Sequence, residues 1–182
     1  EVDIPGNVNI IGNVAFKDSP IEKLTLNEGI TTIGDHAFYG TQLKEVDIPN
    51  SVETIDKDAF SSSPLESVTI GNGAKQIGDY AFLETKIEDL VIPNSVETIG
   101  EGAFYKVDTL TNATIGNGVK QIGVAAFSDT KLSQVDIPNS VETIGNGAFQ
   151  NTKLESVTIG KNVKTIGTGA FQKSPLESVT IC

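Results

Sequence analysis

One dipeptide returns on a fixed period along the whole chain. Ala-Phe occurs at Ala15-Phe16, Ala37-Phe38, Ala59-Phe60, Ala81-Phe82, Ala103-Phe104, Ala126-Phe127, Ala148-Phe149 and Ala170-Phe171. The step is 22 residues everywhere except one step of 23, between Phe104 and Phe127, and these eight Phe are every Phe in the protein. Around the pair runs a consensus, L-x-x-V-x-I-(P/G)-x-x-V-x-x-I-G-x-x-A-F-x-x-(T/S)-x. A period of this length marks an array in which each unit is too small to bury a core alone and is covered by its neighbours. Residues 1–182 therefore read as a single array of about eight such repeats, with no linker and no second domain.

Each unit holds one clear strand signal. Leu43, Val46 and Ile48 carry it in one repeat, and Leu65, Val68, Ile70 and Leu154, Val157, Ile159 in others. The last two apolar positions flank a polar one, as in a half-buried strand. Pro49, Pro93 and Pro138, or Gly71, Gly116 and Gly160, then stop the strand. The following Val-x-x-Ile pair (Val52 and Ile55; Val96 and Ile99) predicts a short second strand or extended turn. A 3₁₀ segment or single helical turn is expected to set Ala-Phe inward, because Val52 to Phe60 is too short and too rich in Thr and Asp for an α-helix. The fold class is a repeat solenoid, mainly β.

The pattern resembles the BspA-like leucine-rich repeats, also called the Treponema pallidum type. The resemblance covers essentially the whole chain in one register. It implies a right-handed superhelix with a parallel β-sheet lining one face. It also implies a place in the bacterial surface and secreted proteins, with adhesion to host matrix proteins or other cells as the role. Many members carry Cys or Asn three residues after the Phe. Here that position holds Ser19, Thr41, Ser63, Thr85, Thr130, Thr152 and Ser174, whose hydroxyls can still bond a buried backbone group in the turn.

Composition narrows the function. The net charge is −11, from 24 acidic and 13 basic side chains, which argues against a nucleic-acid partner. A single Cys excludes an internal disulfide framework and a Cys-based zinc site. No apolar run approaches the roughly 18 residues of a membrane span, so no membrane insertion is expected. The chain opens within one strand signal (Val2-Asp3-Ile4) and closes within another (Val179-Thr180-Ile181), without Met, signal peptide or capping repeats. It is expected to be a piece of a longer array, natural or engineered. Its open ends predict an end-to-end dimer or one linked through Cys182.

In a stacked array, equal repeat positions form ladders about 4.8 Å apart. The position between Val and Ile reads Asp3, Thr25, Asp47, Thr69, Val91, Thr114, Asp136, Thr158, Thr180. The position before Val reads Glu1, Lys23, Glu45, Ser67, Asp89, Asn112, Gln134, Ser156, Ser178. Both are expected to face a concave surface, and Glu45, Asp47, Asp89, Val91 and Asp136 are its candidate partner contacts. A catalytic carboxylate pair needs roughly 5–9 Å between groups, whereas Asp47 and Asp136 lie four rungs, about 19 Å, apart. Glu45 and Asp47 share a rung with no His, Lys or Arg cluster beside them, so they read as a solvated acidic patch. No calcium loop, Ser-His-Asp set or phosphate loop is present. His36 shares a variable column with Val14, Asp58, Tyr80 and Gly102, which predicts a surface position without a role. No catalytic, metal or cofactor site is expected.

Two further columns stand out. Glu53, Lys75, Glu97, Lys120, Glu142 and Lys164 alternate in charge rung by rung, which predicts stacking register between double repeats. Phe104 to Ile115 holds one residue more than its equivalents and carries Ala113 in place of Val. Leu83 and Tyr105 on adjacent rungs, with Val107 in the lengthened turn, form a second candidate contact surface. The sequence thus predicts a non-enzymatic binding module, extracellular or on a cell surface, for an extracellular protein or glycan. The alternative is a spacer or stalk that displays other domains.

Overall fold

The structure, a computed structural model, describes all residues from 1 to 182 and contains no helix. Every rung contributes one longer strand. These are β1 (Val2–Ile4), β3 (Leu24–Leu26), β5 (Glu45–Ile48), β7 (Ser67–Ile70), β9 (Asp89–Ile92), β11 (Asn112–Ile115), β13 (Gln134–Ile137), β15 (Ser156–Ile159) and β17 (Ser178–Ile181). Between them lie two-residue strands: β2 (Ile10–Ile11), β4 (Thr32–Ile33), β6 (Thr54–Ile55), β8 (Gln76–Ile77), β10 (Thr98–Ile99), β12 (Gln121–Ile122), β14 (Thr143–Ile144) and β16 (Thr165–Ile166). All pairings are parallel and join equal repeat positions, as Val46 with Val68 and Ile55 with Ile77. Alternation does what the pattern requires: in β5 Val46 and Ile48 are buried while Glu45 and Asp47 are exposed.

The two faces differ. The short strands make one continuous eight-stranded sheet, whereas the longer strands pair only in groups, β1 with β3, β5 with β7, β9 with β11, and β13 with β15 and β17. Each interruption falls where the incoming rung ends in Ile-Pro, at Pro49, Pro93 and Pro138. At the position that Pro occupies, Asn27 donates its N–H to Ile4 O at 3.2 Å and Cys182 donates to Ile159 O at 3.0 Å. Proline has no N–H to give, so the ladder lapses there.

The Ala-Phe segment corrects the expectation of a 3₁₀ or helical turn. It is a run of tight turns with a left-handed residue on each side of the pair, such as His36 (φ 54) and Gly40 (φ 65), or Asp58 (φ 51) and Ser62 (φ 57). In a helical turn every amide would point along the chain. Here alternate amides turn outward: His36 N–H reaches Lys57 O at 2.9 Å and Phe38 N–H reaches Ala59 O at 2.8 Å. The intervening amides close turns, Ala37 N–H to Gly34 O at 3.1 Å and Tyr39 N–H to His36 O at 3.2 Å. Left-handed residues rotate the peptide planes into this division, and the cross-rung bonds hold them in a region that L-residues otherwise avoid.

Inside, the eight Phe rings stack from Phe16 to Phe171, with centroids 5.3–5.5 Å apart and planes within 11° of parallel. At that separation parallel rings are offset, the favoured arrangement. The six interior rings are fully buried. The hydroxyl column closes the turn behind them: Thr41 donates to Phe38 O at 3.0 Å, Ser63 to Phe60 O at 2.7 Å and Thr85 to Phe82 O at 2.9 Å. At particular glycines the neighbouring rung leaves no room for a side chain. A Cβ on Gly73 would stand 1.8 Å from Asn50 O, whereas one on Gly12 would meet nothing within 4 Å.

Two measurements follow. Phe82→Ala should lower stability in denaturant unfolding by about 3–5 kcal/mol, as loss of a buried ring does; an unchanged midpoint would contradict a load on this stack. Gly73→Ala should destabilise by about 1–3 kcal/mol, as forced overpacking does, while Gly12→Ala leaves the melting temperature in place. Equal effects at the two glycines would rule out rung-to-rung contact as the constraint.

Candidate binding surface

The long-strand face carries the sequence-derived candidates in the open. Glu45 and Asp47 lie on β5, Asp89 and Val91 on β9, and Asp136 on β13, all exposed; Val91 is 63% exposed. They do not converge on one spot, since Asp47 and Asp136 remain four rungs apart in the register. The interrupted sheet sets Asp89 and Val91 beside one cleft and Asp136 beside another. A cleft of about 490 Å³ opens across the gap between β7 and β9, lined by Thr69, Asn72, Asp89, Val91 and Asn117 among others. A second, of about 380 Å³, opens between β11 and β13, where Ala113 leaves room beside Gln134, Asp136 and Thr158. The clefts were not foreseen. Their signal in the sequence is the alternation of Ile-Pro with Ile-Gly, which also marks strand stops and double repeats. Cross-rung amides fix some of the carboxylates: Asn112 Nδ2 donates to Asp89 Oδ1 at 2.7 Å and Asn27 Nδ2 to Asp3 Oδ1 at 2.8 Å.

The second candidate surface needs a correction. Leu83 and Tyr105 are half-buried on adjacent rungs, but Val107 is fully buried and cannot touch a partner. Counting explains it. Val107 stands three residues after Phe104, in the column that holds Thr85 on one side and Thr130 on the other, and that column packs inward. The extra residue of this repeat is absorbed just afterwards. Leu110 N–H closes a turn to Val107 O at 3.0 Å, and the Thr109 hydroxyl donates to Ile87 O at 2.9 Å. Elsewhere a backbone amide makes the equivalent bond, as Lys86 N–H to Leu65 O. Lys106 Nζ lies 5.3 Å from the centroid of the Tyr105 ring.

The charge ladder resolves into pairs. Lys75 meets Glu53 at 2.7 Å, Lys120 meets Glu97 at 2.6 Å and Lys164 meets Glu142 at 2.6 Å. The hydrogen bond from Lys120, and then its charge, hold Glu97 below the usual carboxylate range; Lys164 does the same for Glu142. Exposed pairs of this kind contribute little singly. Their place is register.

His36 also departs from expectation. It is half-buried rather than freely exposed, with Asp35 and Asp58 beside it. One rung further, the Tyr80 ring lies over Gly102, where a Cβ would collide with it, and its hydroxyl donates to Glu101. That bond, with partial burial and the charges of Glu101, Asp79 and Asp58, pushes the Tyr80 phenol up to about 12. The thiol of Cys182 is exposed.

The family model described as "BspA type Leucine rich repeat region" matches residues 1–85 and 75–182, in six copies. None of the curated proteins compared with the chain matches it. A solved leucine-rich repeat protein from Bacteroides ovatus is similar over 99% of this chain and 54% of its own length, at 24% identity and a TM-score of 0.85. A leucine rich cell surface protein from Faecalibacterium prausnitzii is similar over 98% of this chain and 59% of its own, at 23% identity and a TM-score of 0.61. The pneumococcal vaccine antigen PcpA gives 22% identity and a TM-score of 0.50, over 98% and 61%. These likenesses show a shared fold, and the chain spans little more than half the length of the solved proteins it resembles.

The Tyr80 contact has a spectroscopic consequence. Of the three tyrosines, one should ionise near pH 12 in an ultraviolet titration, and Glu101→Gln should bring it down towards 10. A phenol pKa raised in the folded state gives stability that is present below pH 10 and lost as pH rises towards 12. Three tyrosines titrating together near 10 would remove the contact from the account.

Proposed function

The chain belongs to the BspA-type leucine-rich repeat family, and from that premise we propose that it is a non-catalytic binding module, extracellular or at a cell surface, for an extracellular protein or glycan. The observation that carries this reading is the long-strand face, where Asp89, Asp136 and the exposed Val91 border clefts at the breaks in the sheet. Glu1, Asp3, Glu45, Asp47, Asp89 and Asp136 stand on that face against one cation, Lys23. Such a surface favours a partner that offers cations around an apolar contact, and association through it weakens with salt. The chain's likeness to the Faecalibacterium cell surface protein and to the vaccine antigen PcpA supports the location. The role as adhesin comes from the family.

A spacer is the second reading, favoured by the unbroken short-strand sheet with its paired charges. Binding assays against immobilised extracellular-matrix proteins and cell-surface glycans separate the two. The intact chain should bind a member of the panel. Val91→Lys with Asp136→Lys should abolish binding without altering the melting temperature, and Gln76→Lys on the short-strand sheet should have no effect. A folded chain that binds nothing, or one that binds equally well with the long-strand face reversed in charge, would favour the spacer.

A further inference from the structure

The most unusual side-chain cluster lies away from both surfaces, at the turn before Ala37-Phe38. His36 Nδ1 is 2.5 Å from Asp35 Oδ1, and His36 Nε2 is 3.7 Å from Asp58 Oδ2. The first contact is a hydrogen bond to the carboxylate through Nδ1, and it leaves Nε2 as the ring nitrogen turned towards Asp58. The second is too long for a hydrogen bond. Asp58 is only 8% exposed, and Nε2 of His36 is the one basic nitrogen within 4 Å of its carboxylate. A carboxylate and an imidazole nitrogen set face to face at this separation are a donor pair for a cation between them.

We propose that Asp35, His36 and Asp58 form a binding site for a first-row divalent cation of the zinc type. Bonds of about 2.1 Å to nitrogen and oxygen would span the gap between Nε2 and Oδ2 at an angle of about 124°, open but attainable at a four-coordinate centre. The ligand atoms of all three residues lie within 4.8 Å of one another. Asp35, on the far side of the ring, takes the part of the carboxylate that orients a metal-bound histidine through its other nitrogen. The Tyr39 ring, with its centroid 5.2 Å from that of His36, limits rotation of the imidazole. An imidazole with carboxylates suits zinc rather than calcium or magnesium, which take oxygen ligands alone and more of them. No other rung repeats the set, because the equivalents of His36 and Asp58 are Val14, Tyr80, Gly102, Ala125, Gly147 and Gly169.

The test uses the whole chain with Co²⁺ followed by absorption, Zn²⁺ in competition, and thermal unfolding with and without Zn²⁺. His36→Asn and Asp58→Asn are the informative variants, since both positions have positive φ (54° and 51°) and Asn tolerates that region. Each should remove the Co²⁺ spectrum and the rise in melting temperature with Zn²⁺. Asp35→Asn should weaken affinity 10- to 100-fold, as loss of an outer carboxylate does, and Glu66→Gln should change nothing. A further readout needs no substitution: His36 is the only histidine, so its ring proton resonances report directly on Zn²⁺. Resonances that ignore Zn²⁺, or Co²⁺ affinity unchanged by His36→Asn, would overturn the proposal and leave the trio as an ion pair.

Discussion

The close approach of one rung's backbone to the next governs this molecule. Cross-rung amides at 2.7–3.0 Å, such as Phe16 N–H to Ala37 O and Gly40 N–H to Ser61 O, draw the turns together until a single methyl no longer fits at many positions. The column that follows the short strands shows it. Gly78 lies against Asp56 and Lys57, Gly123 against Gly100 and Glu101, and Gly167 against Asn146, each with backbone atoms inside 3 Å of where a Cβ would stand. A solenoid of this kind has little freedom in spacing, so each side chain is judged first by what its copy on the next rung permits.

That condition sorts the residue types. Phenylalanine stacks on itself, and an Asn or Asp carbonyl oxygen can accept the next rung's amide, as Asn50 does from Asn72 and Asp79 does from Glu101. Carboxylates cannot repeat without repulsion, and the ladder that holds Glu53 alternates with Lys instead. The same logic joins Pro to Gly. A Cβ at Gly71, Gly116 or Gly160 would lie 2.4–2.5 Å from the carbonyl oxygen of Pro49, Pro93 or Pro138 on the rung before. Past the first rung, where Pro5 is followed by Asn27, proline on one rung goes with glycine on the next, and the repeats behave as a chain of pairs.

Ladders were legible from sequence because they are properties of columns. The Phe core, the alternating charges, the inward hydroxyls and the exposed Glu45, Asp47 and Asp89 all follow from reading equal positions together. What escaped that reading depends on how one position relates to another. The turns around Ala-Phe alternate amides between chain and neighbour, and no propensity separates that from a 3₁₀ segment of the same length. The longer turn suggests an outer place for Val107, whereas its own column points inward. His36 was judged by the variability of its column, yet its neighbours are Asp35 on its own rung and Asp58 on the next, a diagonal that column reading passes over.

Local contact also explains where variety is tolerated. A rung touches only the rungs on either side, so a departure has to be settled within about one repeat. The inserted residue near Thr109 is settled by one hydroxyl in place of one amide, and by β11 Asn112 still meets Asp89 in register. Ala113 in a column of Val and Leu leaves its strand pairing intact and opens space only towards β13. The long-strand ladder is already interrupted by proline, whereas the short-strand sheet runs unbroken and holds the rungs in order. The division is physical: one face keeps the array together, and the other can change its contacts a rung at a time without disturbing the stack beneath it.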